Sequence, residues 1–285
     1  MAVDEGHGFG PASGLGYGKP ATSRALLQLS DDGVLDAIAA VAEEVPVAFV
    51  YSGRPHAVMM ATPGDLEDFA YGFTLSEEIV ENVTEIAAVD VSRHSRGIEL
   101  ALTIPLAAVE RLADRSRAMT GRTGCGLCGV EAIDDAVRAP RPVHSALAID
   151  AEVLWRAGAA LDEHQAINRE TRSVHAAAWA TPDGELQFVR EDVGRHNALD
   201  KVLGALARSN TDPATGFLLV TSRASFELVQ KAAAAGVPLL AAVSRPTGLA
   251  ITLAEAAGIA LVGLLRGRSA NVYTHAERLR AGAPR

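Results

Sequence analysis

Phe217-Leu218-Leu219-Val220-Thr221-Ser222-Arg223 is an apolar run that ends abruptly on hydroxyls and a charge. Apolar continuity without polar alternation is the pattern of a strand covered on both faces of its sheet. The pattern recurs at residues 237–243, followed by Ser244-Arg245, and at 259–265, followed by Arg266-Gly267-Arg268. Helical segments at 224–235 and 249–257 stand between the runs. Ala234-Ala235-Gly236-Val237 and Ala256-Ala257-Gly258-Ile259 repeat one helix–glycine–strand joint. Two copies make βα units, whereas a solenoid needs at least three. The last third is therefore predicted to be a layered α/β sheet.

Upstream, residues 174–180 and 185–190 form a hairpin around Thr181-Pro182-Asp183-Gly184. A helix is expected over 198–208, and Asp150 caps another that runs to about residue 161. The N-terminal half reads as ββαββα. Strands are expected at 45–51 and 56–61, then a helix with Thr62 as N-cap, Pro63 at its first position and Asp65 closing a capping box. Strands at 86–91 and 98–104 follow, and a helix from Pro105 to about residue 119. The chain thus divides into a Gly-rich flexible tail (1–24), a small α+β domain (25–119), a loop (120–142, with a short helix at 130–137) and a larger α/β domain (143–285).

The charge balance narrows the function. Thirty-five acidic against 26 basic residues leave a net charge of −9, which disfavours non-specific nucleic-acid or membrane-surface binding. No apolar run approaches the roughly 18 residues of a spanning helix. The N-terminus carries Asp4 and Glu5 and no apolar h-region. A cytoplasmic location is expected.

Both cysteines fall in Gly121-Arg122-Thr123-Gly124-Cys125-Gly126-Leu127-Cys128-Gly129. Glycines around the thiols leave the sulfurs uncovered, whereas a packing cysteine sits in an apolar periodic segment. Structural zinc needs four ligands, but there is no third cysteine and no H-x₃₋₅-H pair among the eight histidines. No structural metal is predicted. Thioredoxin-like chemistry fits the C-x-x-C spacing but lacks a strand leading into it. Nucleophilic or persulfide chemistry needs a thiolate, and Arg115, Arg117 and Arg122, with the helix expected after Cys128, supply a stabilising field. Each arginine, taken alone, is as well read as a solvated face.

Glu191-Asp192-Val193-Gly194-Arg195-His196-Asn197 joins a strand to a helix, where α/β folds place ligands. His196 reads equally as an acid/base, a ligand contact or a satisfied structural histidine. Asp192, Arg195 and His196 in one loop tilt it towards function. Ser222-Arg223, Ser244-Arg245 and Arg266-Gly267-Arg268 all follow strands of one sheet, so an anion or phosphate site is expected where their ends converge. Zinc deaminase chemistry is excluded by spacing: His196 is followed by Asn197-Ala198, and C-x-x-C lies upstream.

These clusters together resemble the FdhD/NarQ family of formate dehydrogenase accessory sulfurtransferases, over about residues 25–280. The most specific parts are residues 121–129, Glu191 through Lys201, and Ser222-Arg223-Ala224-Ser225-Phe226-Glu227. The resemblance implies a larger domain with the cytidine-deaminase-like α/β/α arrangement, without its zinc. It implies a cytoplasmic homodimer that accepts sulfur from a cysteine desulfurase as a persulfide on Cys125, with Cys128 assisting. The sulfur then passes to the molybdenum bis-molybdopterin guanine dinucleotide cofactor, for the catalytic subunit of formate dehydrogenase. Leu264, Leu265, Arg266, Gly267, Arg268 and Ser269 match the stretch assigned to cofactor binding, with Arg223 and His196 beside it, and GDP serves as an analogue. The rival readings are a non-catalytic, cofactor-binding chaperone and a thiol–disulfide oxidoreductase.

Overall fold

Alternate residues of the apolar runs point to opposite faces of one sheet. Strands β10 (Phe217–Val220), β11 (Leu239–Ala242) and β12 (Ala260–Arg266) are parallel neighbours, with Leu218, Leu240 and Leu261 in one lateral row and Leu219, Ala241 and Val262 in the next. The first row packs under helices α5 (Arg195–Arg208), α6 (Phe226–Ala234) and α7 (Gly248–Ala257). The second packs under α3 (Ala151–Glu163) on the other face. The hairpin β8 (His175–Ala180) and β9 (Leu186–Asp192) extends the sheet on one side, and β13 (Ser269–Val272) closes the other, giving the order β13-β12-β11-β10-β8-β9. The computed structural model describes residues 18–117 and 139–280. The cysteine motif, the short helix expected at 130–137 and residues 1–17 of the tail lie outside the described residues.

Both helix–glycine–strand joints are present. Gly236 and Gly258 adopt φ of 77° and 74°, and in each the next residue donates back into the helix, Val237 to Ala232 and Ile259 to Ala254. Only glycine takes this left-handed C-cap without strain, so the repeated sequence dictates two sharp helix ends.

The N-terminal unit holds a four-stranded sheet, ordered β4-β3-β6-β5, from β3 (Val45–Tyr51), β4 (Arg54–Ala61), β5 (Ala88–His94) and β6 (Gly97–Thr103). Val45, Val47, Phe49 and Tyr51 alternate inward. Helix α1 (Leu66–Ser76) covers this face, its Phe69 and Phe73 rings 5.1 and 4.2 Å from that of Phe49. Helix α2 (Leu106–Arg117) follows Pro105 as expected. A short helix α4 (Ala166–Thr171) and the small parallel pair β7 (Ile149–Asp150) and β14 (Leu279–Arg280) were not foreseen.

Three expectations need correction. The tail does not extend to residue 24: β1 (Ala21–Ser30) pairs over its full length with β2 (Gly33–Ala42) around Asp31-Asp32. Helix α1 begins at Leu66, after Asp65 at φ 51°, and Thr62 does not cap it. The hydroxyl, amide and carbonyl of Thr62 are all committed to the distant β9–α5 joint, as described below. Helix α5 begins at Arg195 rather than 198, so Arg195 and His196 stand in a first helical turn, with Gly194 as N-cap.

Candidate functional site

Asp192 ends β9 fully buried, and its carboxylate organises the turn that follows. Oδ1 accepts from the Gly194 amide at 2.8 Å and the Asn197 side chain at 2.9 Å; Oδ2 accepts from the Thr62 amide at 3.0 Å and Lys201 Nζ at 2.7 Å. Lys201, also fully buried, donates to the Thr62 carbonyl at 2.9 Å, and Asn197 to that of Met60 at 2.8 Å. The Val193 amide donates to the Thr62 hydroxyl at 3.1 Å. Asp192, Asn197 and Lys201 therefore clamp the β4–α1 corner onto the α/β sheet. A buried ion pair survives only when its remaining hydrogen-bonding capacity is satisfied, as it is here.

Two further clamps run along the antiparallel α1–α5 crossing. At one end Asp68 accepts from Arg190 at 2.7 Å and Arg208 at 2.6 Å. At the other Asp200 accepts from Ser76 at 2.6 Å and from Lys231 of α6 at 3.0 Å, while Lys231 also donates to Glu77 at 2.7 Å. Burial raises Asp200 to about 6. For Lys231, Asp200 and Glu77 outweigh the same burial and raise its pKa. Between the ends the backbones touch at Gly72 and Gly204.

With these groups accounted for, a second set stands out by its lack of partners. Arg195 and His196 in the first turn of α5, and Glu227 at the start of α6 beside Ser225, each hold a buried polar atom that meets no hydrogen-bond partner: Nε, Nε2 and Oε2 respectively. His196 Nε2 and Glu227 Oε2 are 3.9 Å apart, too far for a direct hydrogen bond. Neither helix has a side-chain cap at its N-terminus; in α6 the Glu227 carboxylate takes its own amide, which leaves the first-turn amides of α5 as the ones open to an anion. Burial and the Arg195 charge push His196 down to about 4, so the imidazole is neutral at pH 7. His175, paired in register with Asp192, is lowered by burial and by Arg195 as well. Glu227 behaves oppositely: burial favours its neutral acid, but the adjacent Ser225 hydroxyl, its own amide and the His196 and Arg195 side chains lower its pKa.

The sign of the His196 effect can be tested. Its pKa is lower folded than the ordinary 6.5 of an unfolded histidine, so its contribution is complete above pH 6.5 and is lost as the pH falls towards 4. That is about 1–2 kcal/mol between pH 7 and pH 5, the upper figure holding for full burial. His196→Gln is expected to flatten the decline of the urea midpoint over this range, with His175 supplying the residual slope. An unchanged slope would show that His196 is protonated in the folded chain.

The strand ends do converge. The Thr247 amide donates to the Ala224 carbonyl and the Leu264 amide to that of Ser244, both at 3.1 Å, which ties the loops after β10, β11 and β12 into one rim. Arg223, Arg245 and Arg266 are exposed along it. The expected stretch 264–269 divides. Leu264, at φ 55°, meets the rim, whereas Leu265 turns into the core beside Gly158 of α3. Gly267 and Ser269 are exposed at the hairpin tip, and Arg268 makes a two-pronged ion pair with Glu152 of α3, on the far face of the sheet from α5–α7. Arg268 is thus drawn away from the rim. Cys125 and Cys128 lie outside the described residues.

Ser225 and Glu227 were not singled out as site residues by sequence. The available signal was positional: two strand-to-helix joints on one sheet edge set their helix N-termini side by side, so the first turn of α6 faces that of α5.

Residues 42–280 match the family model described as FdhD/NarQ family. The chain belongs to the FdhD/NarQ family. The matched segment starts where β2 ends, so it is shorter at the N-terminus than the 25–280 expected. Relatives within the FdhD/NarQ family include the sulfur carrier protein FdhD of Xanthomonas euvesicatoria pv. vesicatoria, 52% identical over 242 residues that cover 85% of this chain and 86% of the relative. The protein of the same name from Cupriavidus necator is 52% identical over 239 residues, covering 84% and 83%. A crystal structure provisionally assigned as a formate dehydrogenase accessory protein from Desulfotalea psychrophila superposes with a TM-score of 0.72, covering 91% of this chain and 99% of that one. At 23% identity that likeness concerns the fold. No described helix is long and apolar enough to cross a membrane.

Proposed function

We propose that this chain is a sulfur carrier with sulfurtransferase activity, acting in the maturation of formate dehydrogenase. The observation that carries the reading is its half-identity, over most of its length, to proteins named sulfur carriers, in a chain whose two cysteines share one motif. The Cys125 thiolate attacks the outer sulfur of a desulfurase persulfide. One S–S bond forms, one breaks, and the desulfurase thiolate leaves, so no external oxidant is required. On delivery Cys128 resolves: its thiolate attacks Cys125 Sγ, a Cys125–Cys128 disulfide forms, the persulfide S–S bond breaks and the outer sulfur leaves at the sulfide level, a free thiol serving less well in its place.

The acceptor is the molybdenum bis-molybdopterin guanine dinucleotide cofactor, here a client molecule, whose metal centre receives the sulfur. The residues present suit such a group: exposed arginines on one rim and the open N-terminus of α5 are donors for a diphosphate. Arg223, Arg245 and Arg266 would hold its phosphates, and His196 and Glu227 offer unsatisfied polar atoms beside them.

The test of the sulfur role is complementation of a strain deleted for this chain's gene, read as formate dehydrogenase activity. Wild type restores activity, Cys125→Ala abolishes it, and Cys128→Ala lowers it less. Full activity with Cys125→Ala would refute the carrier reading.

The rim is tested separately by calorimetric titration with GDP. Charge-assisted hydrogen bonds are worth about 1.5–3 kcal/mol each, so Arg223→Ala with Arg266→Ala should weaken binding about a hundredfold. Arg268→Ala should change it little, because Glu152 already engages that guanidinium. Equal losses from all three positions would place Arg268 in the site.

A further inference from the structure

Helices α5 and α6 face each other through two tiers of ionisable side chains. His196 and Asp200 stand one turn apart on α5, as Glu227 and Lys231 do on α6. The inner tier is a made pair: Lys231 Nζ meets Asp200 at 3.0 Å and Glu77 at 2.7 Å. The outer tier is unmade, with His196 Nε2 and Glu227 Oε2 buried, without hydrogen-bond partners and 3.9 Å apart. The closed inner pair fixes the spacing of the helices, so side-chain rotation alone closes the outer one. Arg195 precedes His196, and its Nε is buried without a partner as well. The charged groups that act on His196 are Arg195 on its own helix, Glu227 and Lys231 on α6, and Glu77 after α1. Lys231 and Glu77 are bonded to each other, which leaves Arg195 and Glu227 as the charges that a ligand can alter.

We propose that anion capture at this rim is coupled to the uptake of one proton, which His196 Nε2 takes from solvent and donates to Glu227 Oε2, closing the outer pair. The coupling rests on the anion site proposed above. In the empty site, burial and the adjacent Arg195 guanidinium hold the imidazole neutral, at about 4, and the pair stays open. An anion seated on the first-turn amides of α5 engages Arg195 and cancels its repulsion of the ring. It also brings negative charge beside the ionised Glu227, and a proton placed between carboxylate and imidazole relieves that like-charge contact. The pair that forms is buried, so water screens it little. Binding therefore raises the proton affinity of His196, and by linkage the anion binds more tightly as the pH falls. With the ring restored to its ordinary value of about 6.5, binding is roughly tenfold tighter at pH 5.5 than at pH 7.5. A captured anion is held where protons are plentiful and released as they are withdrawn.

The experiment is calorimetric titration of the full chain with GDP at pH 6, in buffers of different ionisation enthalpy, on wild type and His196→Gln. The terminal phosphate of GDP titrates in this range, and His175 also lies beside Arg195, but both are common to the two proteins. Wild type is expected to take up about 0.7 of a proton more than His196→Gln on binding, and the variant to lose the tenfold tightening between pH 7.5 and pH 5.5. If the variant binds GDP too weakly to compare, the imidazole nitrogen resonances of the wild type decide: GDP added at pH 6 should move His196 from the neutral to the imidazolium position. Equal proton uptake by the two proteins, or an imidazole that stays neutral on binding, would overturn the coupling and leave the anion site standing. No GDP binding by the wild type at either pH would overturn both.

Discussion

Replacing Asp192 by Ala is expected to destabilise the fold by about 3–5 kcal/mol, the usual result of removing one partner from a buried ion pair. The reason is the set of groups left behind. Lys201 would remain a fully buried ammonium with the Thr62 carbonyl as its surviving hydrogen-bond partner, and the amides of Thr62 and Gly194 would each lose an acceptor. Lys201→Met should cost less than Asp192→Ala, because it removes the charge and keeps the apolar stem against the Phe69 ring, 5.8 Å from the ammonium. Combining Lys201→Met with Asp192→Asn should be milder than Asp192→Ala alone, since the amide still accepts from the turn. Urea unfolding of the three variants measures this order. Near-equal, small losses would show that the clamp is dispensable.

Gly72→Ala is the second large effect. A Cβ on Gly72 would stand 2.8 Å from the Gly204 nitrogen and closer still to the Asp200 carbonyl; Gly204→Ala meets the Asp68 carbonyl and the Gly72 nitrogen in the same way. These are backbone atoms of a facing helix, so no side chain can rotate aside. The helices must separate, which strains the Asp68–Arg208 and Ser76–Asp200 contacts at both ends. Overpacking of this kind costs about 3 kcal/mol or more, at the upper end of its usual range. At about 2–4 °C per kcal/mol for a chain of this size, the melting temperature should fall by roughly 6–12 °C. A fall of a degree or two would mean that α1 and α5 are not in backbone contact.

The same two regions show where sequence is informative. Strands β10, β11 and β12 were legible because burial on both faces leaves continuous apolar runs, and Gly236 and Gly258 mark the joints between them. The convergence of Arg223, Arg245 and Arg266 followed from strand order alone. Thr62 misled because Thr-Pro-Gly-Asp is a sound local cap signal, yet its polar atoms bind residues 130 and more positions away. Asp192 read as a site residue for a related reason: a buried carboxylate that pins two units together and a catalytic one share the same loop chemistry. The β1–β2 ribbon escaped notice since Leu26, Leu27 and Leu29 pack on no described core, and Asp31-Asp32 is not among the strongest hairpin turn pairs. Arg268 could not be told from Arg266 without knowing that Glu152 lies across the sheet.

The central claim is that Cys125 carries the sulfur. Its most direct test is an intact mass spectrum of the chain after incubation with a cysteine desulfurase and cysteine, recorded without reductant. The account predicts a species heavier by one sulfur atom in the wild type and in Cys128→Ala, reversed by dithiothreitol, and absent from Cys125→Ala. No added sulfur in the wild type, or equal loading of Cys125→Ala, would contradict it and favour a cofactor-binding chaperone without sulfur chemistry at this residue.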